Sequence, residues 1–277
     1  MNATPRGTSE QPTARLSARG LEKHFGPVQA LRGVDLDLPA GAVTALCGDN
    51  GAGKSTLTKC IAGIYQPDGG RIYWEGRPVT IHSPREASRL GIETVYQDLA
   101  LADNLDIVQN MFLGRERTSW LPWRWGRGRW GLLDENSMEH AAADTLASLR
   151  VTTVGSVRQL VGSLSGGQRQ SVAVAKAVMW NSKLVLLDEP TAAMGVVQTR
   201  QVLDLILRLR ERGLAVMVIS HNLNDIFEVA DRIAVMYLGG VVMQGDAKNL
   251  DRQTVIEYIT TGGQQMPARV GAGNDAQ

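Results

Sequence analysis

The stretch Gly48-Asp49-Asn50-Gly51-Ala52-Gly53-Lys54-Ser55, followed by Thr56, decides the fold of this chain. It matches the phosphate-binding pattern G-x-x-x-x-G-K-[ST]. An apolar run at 43–47 precedes it and predicts a buried strand, and a helical pattern follows at 54–62. Backbone N–H groups of such a glycine-rich loop come close to anionic oxygens, Lys54 can reach the β- and γ-phosphates, and the Ser55 hydroxyl can bind Mg²⁺. We therefore interpret the stretch as a triphosphate site rather than an ordinary glycine-rich turn.

Composition limits the functional classes. With 277 residues the chain can form one large domain or two small ones around a sizeable core. Its formal net charge of +1 gives no overall field that favours nucleic acid, so no nucleic-acid partner is expected. Cys47 and Cys60 are too few for a disulfide framework and suit core residues of a reduced, cytosolic protein. Neither a membrane span nor a signal peptide is predicted, so any membrane role is expected to come through a partner.

Alternating strand and helix patterns predict an α/β fold with an open, mostly parallel sheet. Strands are predicted at 34–38, 43–47, 71–75, 79–81, 92–96, 184–188, 214–220 and 233–237. Helices are predicted at 83–90, 134–150, 168–179 and 196–212. In such a sheet ligands bind at the carboxyl ends of the strands, which is where the functional side chains are expected.

Four predicted strands lead directly to Gly48, Gln97, Asp188 and His221. Phosphoryl transfer needs a metal ion, charge neutralisation and an oriented water. Asp188 is placed to hold Mg²⁺ directly or through water, and Glu189 can orient the attacking water or accept its proton. Gln97 can touch the metal or the water without adding charge, and His221 is a candidate donor to the γ-phosphate. Taken alone, these last two would be interpreted as a surface glutamine and a strand-end cap.

A second motif identifies the family. The segment Leu164-Ser165-Gly166-Gly167-Gln168, here called the signature, stands between the phosphate loop (48–55) and Asp188-Glu189-Pro190. Together with His221, this ordered set resembles the nucleotide-binding subunit of an ABC transporter over about residues 16 to 260. The resemblance implies a P-loop NTPase core with a mostly parallel sheet, an antiparallel β subdomain and an inserted α-helical subdomain at about 98–167.

The resemblance also implies how the site works. ATP and Mg²⁺ are the expected cofactors, with catalytic roles for Lys54, Glu189 and His221, and Phe25 falls where an aromatic ring stacks on adenine. Ser165, Gly166, Gly167 and Gln168 are expected to contact the ATP of the opposing subunit, for which a helix N-terminus is suited. One chain then cannot complete a site, and a second ATPase subunit, most simply a homodimer partner, is implied.

Further segments resemble monosaccharide importers of the ribose, xylose and fructose type: 83–87, 91–99, 104–105, 112–116, 219–223 and 227–231. Transmembrane permease subunits, an indirectly acting periplasmic sugar-binding protein and a peripheral location on the cytoplasmic face of the bacterial inner membrane are implied. Many members carry two nucleotide-binding domains, whereas this chain has one. The family's usual Leu-Asp after the acidic pair is Met194-Gly195 here, which removes a carboxylate expected to cross the dimer.

Domain limits and alternatives complete the sequence predictions. Residues 15–262 are expected to form a single ABC ATPase domain between disordered segments at 1–14 and 263–277. The Trp- and Arg-rich segment 120–130 suits a membrane interface or a partner groove, or an irregular insertion that packs on its own subdomain. A transporter of another solute stays open. A non-transport ABC ATPase acting on DNA or ribosomes is disfavoured because no basic patch or long heptad insertion is present. A binding module without turnover is disfavoured by Glu189 and His221.

Overall fold

The computed structural model describes residues 14–120 and 131–263. The predicted disordered segments therefore lie outside the described residues, except that Ala14 opens the first strand and Gly263 ends the last turn. The Trp- and Arg-rich segment also lies outside them, apart from the backbone of Trp120. Within the described ranges, no helix combines the length and the apolar character that crossing a membrane requires.

The strands and helices alternate along the chain as the sequence predicts. The strands are β1 (Ala14–Phe25), β2 (Val28–Pro39), β3 (Val43–Gly48), β4 (Gly69–Trp74), β5 (Arg77–Val79), β6 (Ile92–Val95), β7 (Thr118–Trp120), β8 (Gly131–Leu133), β9 (Leu184–Asp188), β10 (Ala215–Ile219), β11 (Arg232–Tyr237) and β12 (Gly240–Asp246). The helices are α1 (Lys54–Ile61), α2 (Pro84–Leu90), α3 (Ile107–Phe112), α4 (Glu135–Ser148), α5 (Gly166–Val178), α6 (Val196–Glu211), α7 (Leu223–Val229) and α8 (Arg252–Thr261).

The central sheet has the strand order β12-β11-β3-β10-β9-β6. Its inner pairs β11–β3, β3–β10, β10–β9 and β9–β6 are all parallel, and β12 adds to the edge in antiparallel fashion. A second, antiparallel sheet has the order β2-β1-β4-β5. This is the predicted combination of a mostly parallel core with an antiparallel β subdomain.

Burial explains why β3, β9 and β10 lie at the centre of the sheet. Val43 to Gly48, Leu184 to Leu187 and Ala215 to Ile219 are buried along their whole length, as parallel strands covered on both faces must be. Each buried Leu, Ile or Val side chain stabilises the fold by about 1.5–3 kcal/mol relative to exposure. The packing of this sheet therefore holds the strand ends, and whatever follows them, in fixed positions.

The structure differs from the sequence predictions in four places. The first two strands are longer than expected, since β1 and β2 pair over 12 residues each in a bulged antiparallel ladder. The predicted helical region contains a short hairpin, β7–β8, which the helical patterns on either side do not signal. Helix α5 begins at Gly166 rather than near Gln168, because Ser165 and Gln168 form a capping box that starts the helix earlier. The strand β12 and the helices α7 and α8 are absent from the sequence predictions.

Candidate functional site

The phosphate loop connects β3 to α1 through positions that only glycine can occupy. Gly48 has a φ of +152° and Gly53 a φ of +103°. A Cβ at Gly48 would lie 2.4 Å from the carbonyl oxygen of Met236, and one at Gly53 would lie 2.7 Å from that of Ala30. The loop therefore lies between β11 and β2, and close backbone contacts on both sides determine its shape.

The N-terminus of α1 is open to an anion. Its N-cap, Gly53, offers no side-chain hydrogen bond, so the first N–H groups of the helix are left for a ligand. The Lys54 ammonium arches back over the loop and donates to the carbonyl oxygens of Gly48 at 2.8 Å and Asp49 at 2.9 Å. A triphosphate can replace these two carbonyl contacts, because a phosphate oxygen is the stronger acceptor for an ammonium group.

A pocket of about 370 Å³ lies over this helix end. The phosphate-loop residues 50–56 form one wall, including the predicted site residues Ser55 and Thr56. The opposite wall comes from β2 and from the turn after β11: Val28, Gln29, Ala30, Arg32, Leu238 and Gly239. The turn is fixed to the loop, since the Gly239 N–H donates to the Ala52 carbonyl at 3.0 Å. No local sequence pattern indicates that this turn lies over the loop.

Parallel pairing brings the other predicted residues to the same edge of the sheet. Gly48 ends β3 and Asp188 ends β9. His221 follows two residues after the end of β10, and Gln97 two residues after the end of β6. Ile219 of β10 stands in register with both Leu46 of β3 and Asp188 of β9. Gln97 is exposed in a turn at the far side of this row, next to β9.

Glu189 and His221 form a pair at this edge. The Nδ1 atom of His221 lies 2.9 Å from Oε2 of Glu189. The glutamate side chain is 17% exposed and the histidine side chain 76% exposed, so the carboxylate is held inside while the imidazole faces outward. Glu189 has a left-handed φ of +49°, and its N–H donates to the Ile219 carbonyl at 2.8 Å. A non-glycine residue in this conformation is strained and needs such contacts to hold it.

Asp188 is a half-buried acid with an unfavourable environment for its charge. Burial, and then the adjacent charge of Glu189, raise the pKa of its carboxyl, while Lys54 and Lys59 partly oppose this. A cation bound to this carboxylate would offset both the cost of its burial and the repulsion from Glu189. No group of three His, Cys, Asp or Glu side chains with metal-binding geometry occurs in the residues that the structure describes. The donor set fits Mg²⁺, which is commonly held by one or two protein groups together with phosphate oxygens and water.

We expect Asp188→Asn to raise the melting temperature of the nucleotide-free chain at neutral pH. The raised pKa means that the ionised carboxyl is less favourable in the folded state than in the unfolded state. This penalty is complete above the folded-state pKa and absent below the ordinary value of 3.8. The gain from Asp188→Asn should therefore shrink as the pH falls. Thermal unfolding of both chains across this range is the measurement, and an equal or lower melting temperature for the variant at neutral pH would contradict it.

The signature starts helix α5. Ser165 is the N-cap, and its hydroxyl accepts from the N–H of Gln168 at 3.4 Å, while the Gln168 side chain accepts from the N–H of Ser165 at 2.8 Å. The Gln168 amide also donates to the carbonyl of Thr153. Its side chain is thus engaged within the subunit. Gly166 is exposed with open space where a Cβ would be, whereas a Cβ at Gly167 would lie 2.9 Å from the Cβ of Gln198 in α6.

The structure does not bring every predicted residue into one pocket. None of the signature residues lines the pocket over α1. Phe25 is 43% exposed, and its ring contacts that of Tyr65 edge to face, with the ring centres 5.2 Å apart. Neither ring lines the pocket.

These features are typical of a nucleotide-binding ATPase of the phosphate-loop class. They comprise a glycine-rich phosphate loop, an acidic pair in contact with a histidine, and a separate, exposed helix N-terminus.

The chain belongs to the ABC transporter family, whose model matches residues 31–192. The fructose import ATP-binding protein FrcA of Rhizobium meliloti is 48% identical over 246 residues, which are 88% of this chain and 93% of that protein. The xylose/arabinose import ATP-binding protein XylG of Sulfolobus acidocaldarius is 43% identical over 89% of this chain and 94% of that protein. The resemblance to half-length monosaccharide-import proteins is thereby confirmed. A ribose import ATP-binding protein of Rubrobacter xylanophilus is 41% identical, but the match spans only 43% of its length.

Solved structures confirm the predicted fold. The ADP conformation of an ATP-binding cassette of an ABC transporter has a TM-score of 0.74 and 28% identity, covering 89% of this chain and 99% of that one. A nucleotide-free cassette has a TM-score of 0.72 at the same identity and the same coverage. The similarity extends over almost the whole described part of the chain, so the central sheet, the antiparallel sheet and the helices belong to one cassette fold.

Proposed function

We propose that this protein is the ATP-hydrolysing subunit of an ABC importer that takes up a monosaccharide through a partner permease. The observation that carries the proposal is the edge of the central sheet, where an open phosphate loop, Asp188 and the Glu189–His221 pair lie side by side. The near full-length similarity to fructose and xylose/arabinose import proteins supports the class of solute. The chain would lie at the cytoplasmic face of the bacterial inner membrane, held there by the permease.

The residues of one subunit would have separate roles in hydrolysis. The phosphate loop would hold the β- and γ-phosphates with its N–H groups, and Lys54 would neutralise the transferred phosphoryl group. When bound, Mg²⁺ would neutralise charge on the β- and γ-phosphates, and Ser55, Asp188 and Gln97 are the residues to hold it. Glu189 would orient the attacking water and take its proton. His221 steadies the Glu189 carboxylate at 2.9 Å and, being outward-facing, can also donate to the γ-phosphate.

Two subunits are needed for a complete site. The signature residues start α5 and do not line the pocket over their own phosphate loop, and a helix N-terminus attracts anionic oxygens. We infer that Ser165, Gly166 and Gly167 contact the ATP bound by a second copy of the chain, with Gln168 shaping the cap. Phe25, with its exposed ring, would stack on the adenine. ATP binding would then close the dimer, and this closure would drive the permease.

A groove beside α2 supports the permease as partner. It has a volume of about 490 Å³ and is lined by α2, by residues 113–115 just after α3 and by Trp180. Arg85 and Arg89 are exposed on α2, and the guanidinium of Arg115 lies 5.0 Å from the centre of the Trp180 ring. This mixture of cationic and aromatic groups suits a short helical segment of the permease. A periplasmic sugar-binding protein would act through the permease without touching this chain.

The test is reconstitution of the complete transporter. ATP hydrolysis should be stimulated by a monosaccharide and its binding protein in membranes that also contain the permease. Stimulation by a solute of another class would keep the ABC importer and change its substrate. An absence of hydrolysis in the assembled complex, with Mg-ATP present, would contradict the proposed activity itself.

Gly195 gives a separate prediction about communication between the two sites. It is the N-cap of α6 with an extended backbone, φ −74° and ψ 164°, a conformation that an aspartate cap also adopts. A Cβ there would meet only the Oε1 atom of Gln198, at 2.6 Å, which can rotate away. We expect Gly195→Asp to change the Hill coefficient for ATP hydrolysis more than the maximal rate, because the new carboxylate would reach across the dimer without touching the γ-phosphate.

The measurement is the rate of hydrolysis against ATP concentration in the assembled transporter. Gly195→Ala is the matched control, because it adds the same Cβ without the carboxylate and should leave the Hill coefficient unchanged. The effect of the Asp cap on the free energy of unfolding should be only roughly 0.3 kcal/mol, since glycine is itself an acceptable cap. A large change in the maximal rate with the same cooperativity would place residue 195 in the catalytic site.

A further inference from the structure

A buried hydrogen bond joins two segments that flank the acid–histidine pair. The hydroxyl of Thr191 donates to Oδ2 of Asp225 at 2.6 Å, across 34 positions of sequence. Thr191 is 9% exposed and Asp225 is 8% exposed. Among the described residues, no lysine, arginine or histidine pairs with this carboxylate. The hydroxyl is therefore the side-chain partner that the structure shows for a buried acid.

The two ends of this bond belong to the segments that carry the reacting groups. Thr191 lies two residues after Glu189, in the loop that leaves β9. Asp225 lies four residues after His221, in the first turn of α7. A main-chain hydrogen bond already joins Glu189 to Ile219 at the end of β10. The side-chain bond adds a second connection, between the loop that leaves β9 and the helix that follows His221.

We propose that Thr191 and Asp225 are positioning residues that hold Glu189 and His221 in contact. This inference rests on the proposed function, because it concerns the geometry of the same hydrolytic site. The His221 side chain is 76% exposed, so packing alone does not fix its position. Glu189 has a strained left-handed backbone conformation that persists only where surrounding contacts hold it. The contact between them depends on where the loop and α7 lie relative to each other, and the Thr191–Asp225 bond sets that distance.

The test is the pair Thr191→Val and Thr191→Ser in the assembled transporter. Valine keeps the shape of threonine and removes the hydroxyl, whereas serine keeps the hydroxyl. We expect Thr191→Val to lower kcat on the order of 10- to 100-fold, as small misplacements of catalytic groups do, with KM for ATP changed less than about threefold. Thr191→Ser should restore most of kcat.

Thr44→Val is the control for the loss of a buried hydroxyl as such. Thr44 is 1% exposed, and its hydroxyl has no hydrogen-bond partner in the part of the chain that the structure describes. This variant should keep kcat and KM for ATP. Combining Thr191→Val with His221→Ala should give little further loss beyond His221→Ala alone, because both changes act on one contact.

Asp225→Ala breaks the same bond from the other side and provides the test if Thr191→Val does not fold. A parental kcat in a folded Thr191→Val or Asp225→Ala protein would overturn the inference, even if the melting temperature falls. That outcome is distinct from a failure of the proposed function. The proposed function fails if Lys54→Ala and Glu189→Gln leave hydrolysis intact, whereas the positioning inference fails if those variants are inactive and Thr191→Val is not impaired.

Discussion

Lys54→Ala should reduce ATP hydrolysis by on the order of 10²–10³, the typical loss when one group that stabilises transition-state charge is removed. The Lys54 ammonium lies directly over the phosphate loop, bound to the carbonyl oxygens of Gly48 and Asp49. It is therefore within reach of a phosphate chain that enters the loop. Steady-state ATPase assays of the assembled transporter are the measurement, together with nucleotide binding by the isolated subunit.

Lys59→Ala is the matched control for Lys54→Ala. Lys59 lies on the same helix, but its ammonium stands 5.5 Å from the centre of the Tyr65 ring and does not line the pocket over α1. We expect Lys59→Ala to keep most of the activity. Parental hydrolysis by Lys54→Ala would show that the phosphate loop does not hold the transferred phosphoryl group in this protein.

Glu189→Gln should bind ATP and stop turnover. The amide has the shape of the carboxyl group but cannot accept a proton from water, so the chemical step is blocked while the phosphate contacts remain. In the proposed cycle hydrolysis would open the closed dimer, so this variant should accumulate as a nucleotide-bound dimer. Size-exclusion chromatography with and without ATP detects this change directly, and ATPase assays measure the loss of turnover.

Glu257→Gln is a suitable control, since Glu257 is an exposed residue of α8 that does not line the pocket over α1. It should hydrolyse ATP at the parental rate and show no ATP-dependent change in elution. Full activity in Glu189→Gln would transfer the role of general base to another group. His221 would then be the first to test, because it is the side chain in contact with this carboxylate.

Much of the site could be predicted because its parts are local in sequence. The phosphate loop needs glycines, a lysine and a hydroxyl at fixed spacing between one strand and one helix. The start of α5 is equally local, since Ser165 and Gln168 form its capping box within a single turn. Asp188 could be identified because a charged residue at the end of an apolar strand is costly to bury unless a partner or a bound ion compensates its charge. These patterns predicted the fold class, which the solved cassettes confirm.

The antiparallel sheet shows where local patterns were insufficient. Strands β1 and β2 are 12 residues long, yet their bulges break the strict alternation that a sequence pattern relies on. The hairpin β7–β8 has only three residues in each strand, too few to show a period. Short or irregular strands are stabilised by pairing with another segment, so their own sequence carries little of the signal.

The sequence by itself determined that this protein has a phosphate loop, a signature helix start and acids at strand ends, because each is encoded within a few neighbouring residues. Only the tertiary structure decided which of these groups meet. The contact between Glu189 and His221 and the bond between Thr191 and Asp225 exist because β9 and β10 are neighbours in register. The wall that Leu238 and Arg32 build over the phosphate loop depends in the same way on how β11 and β2 pack around it. Strand order is a property of the whole core, and no single segment specifies it.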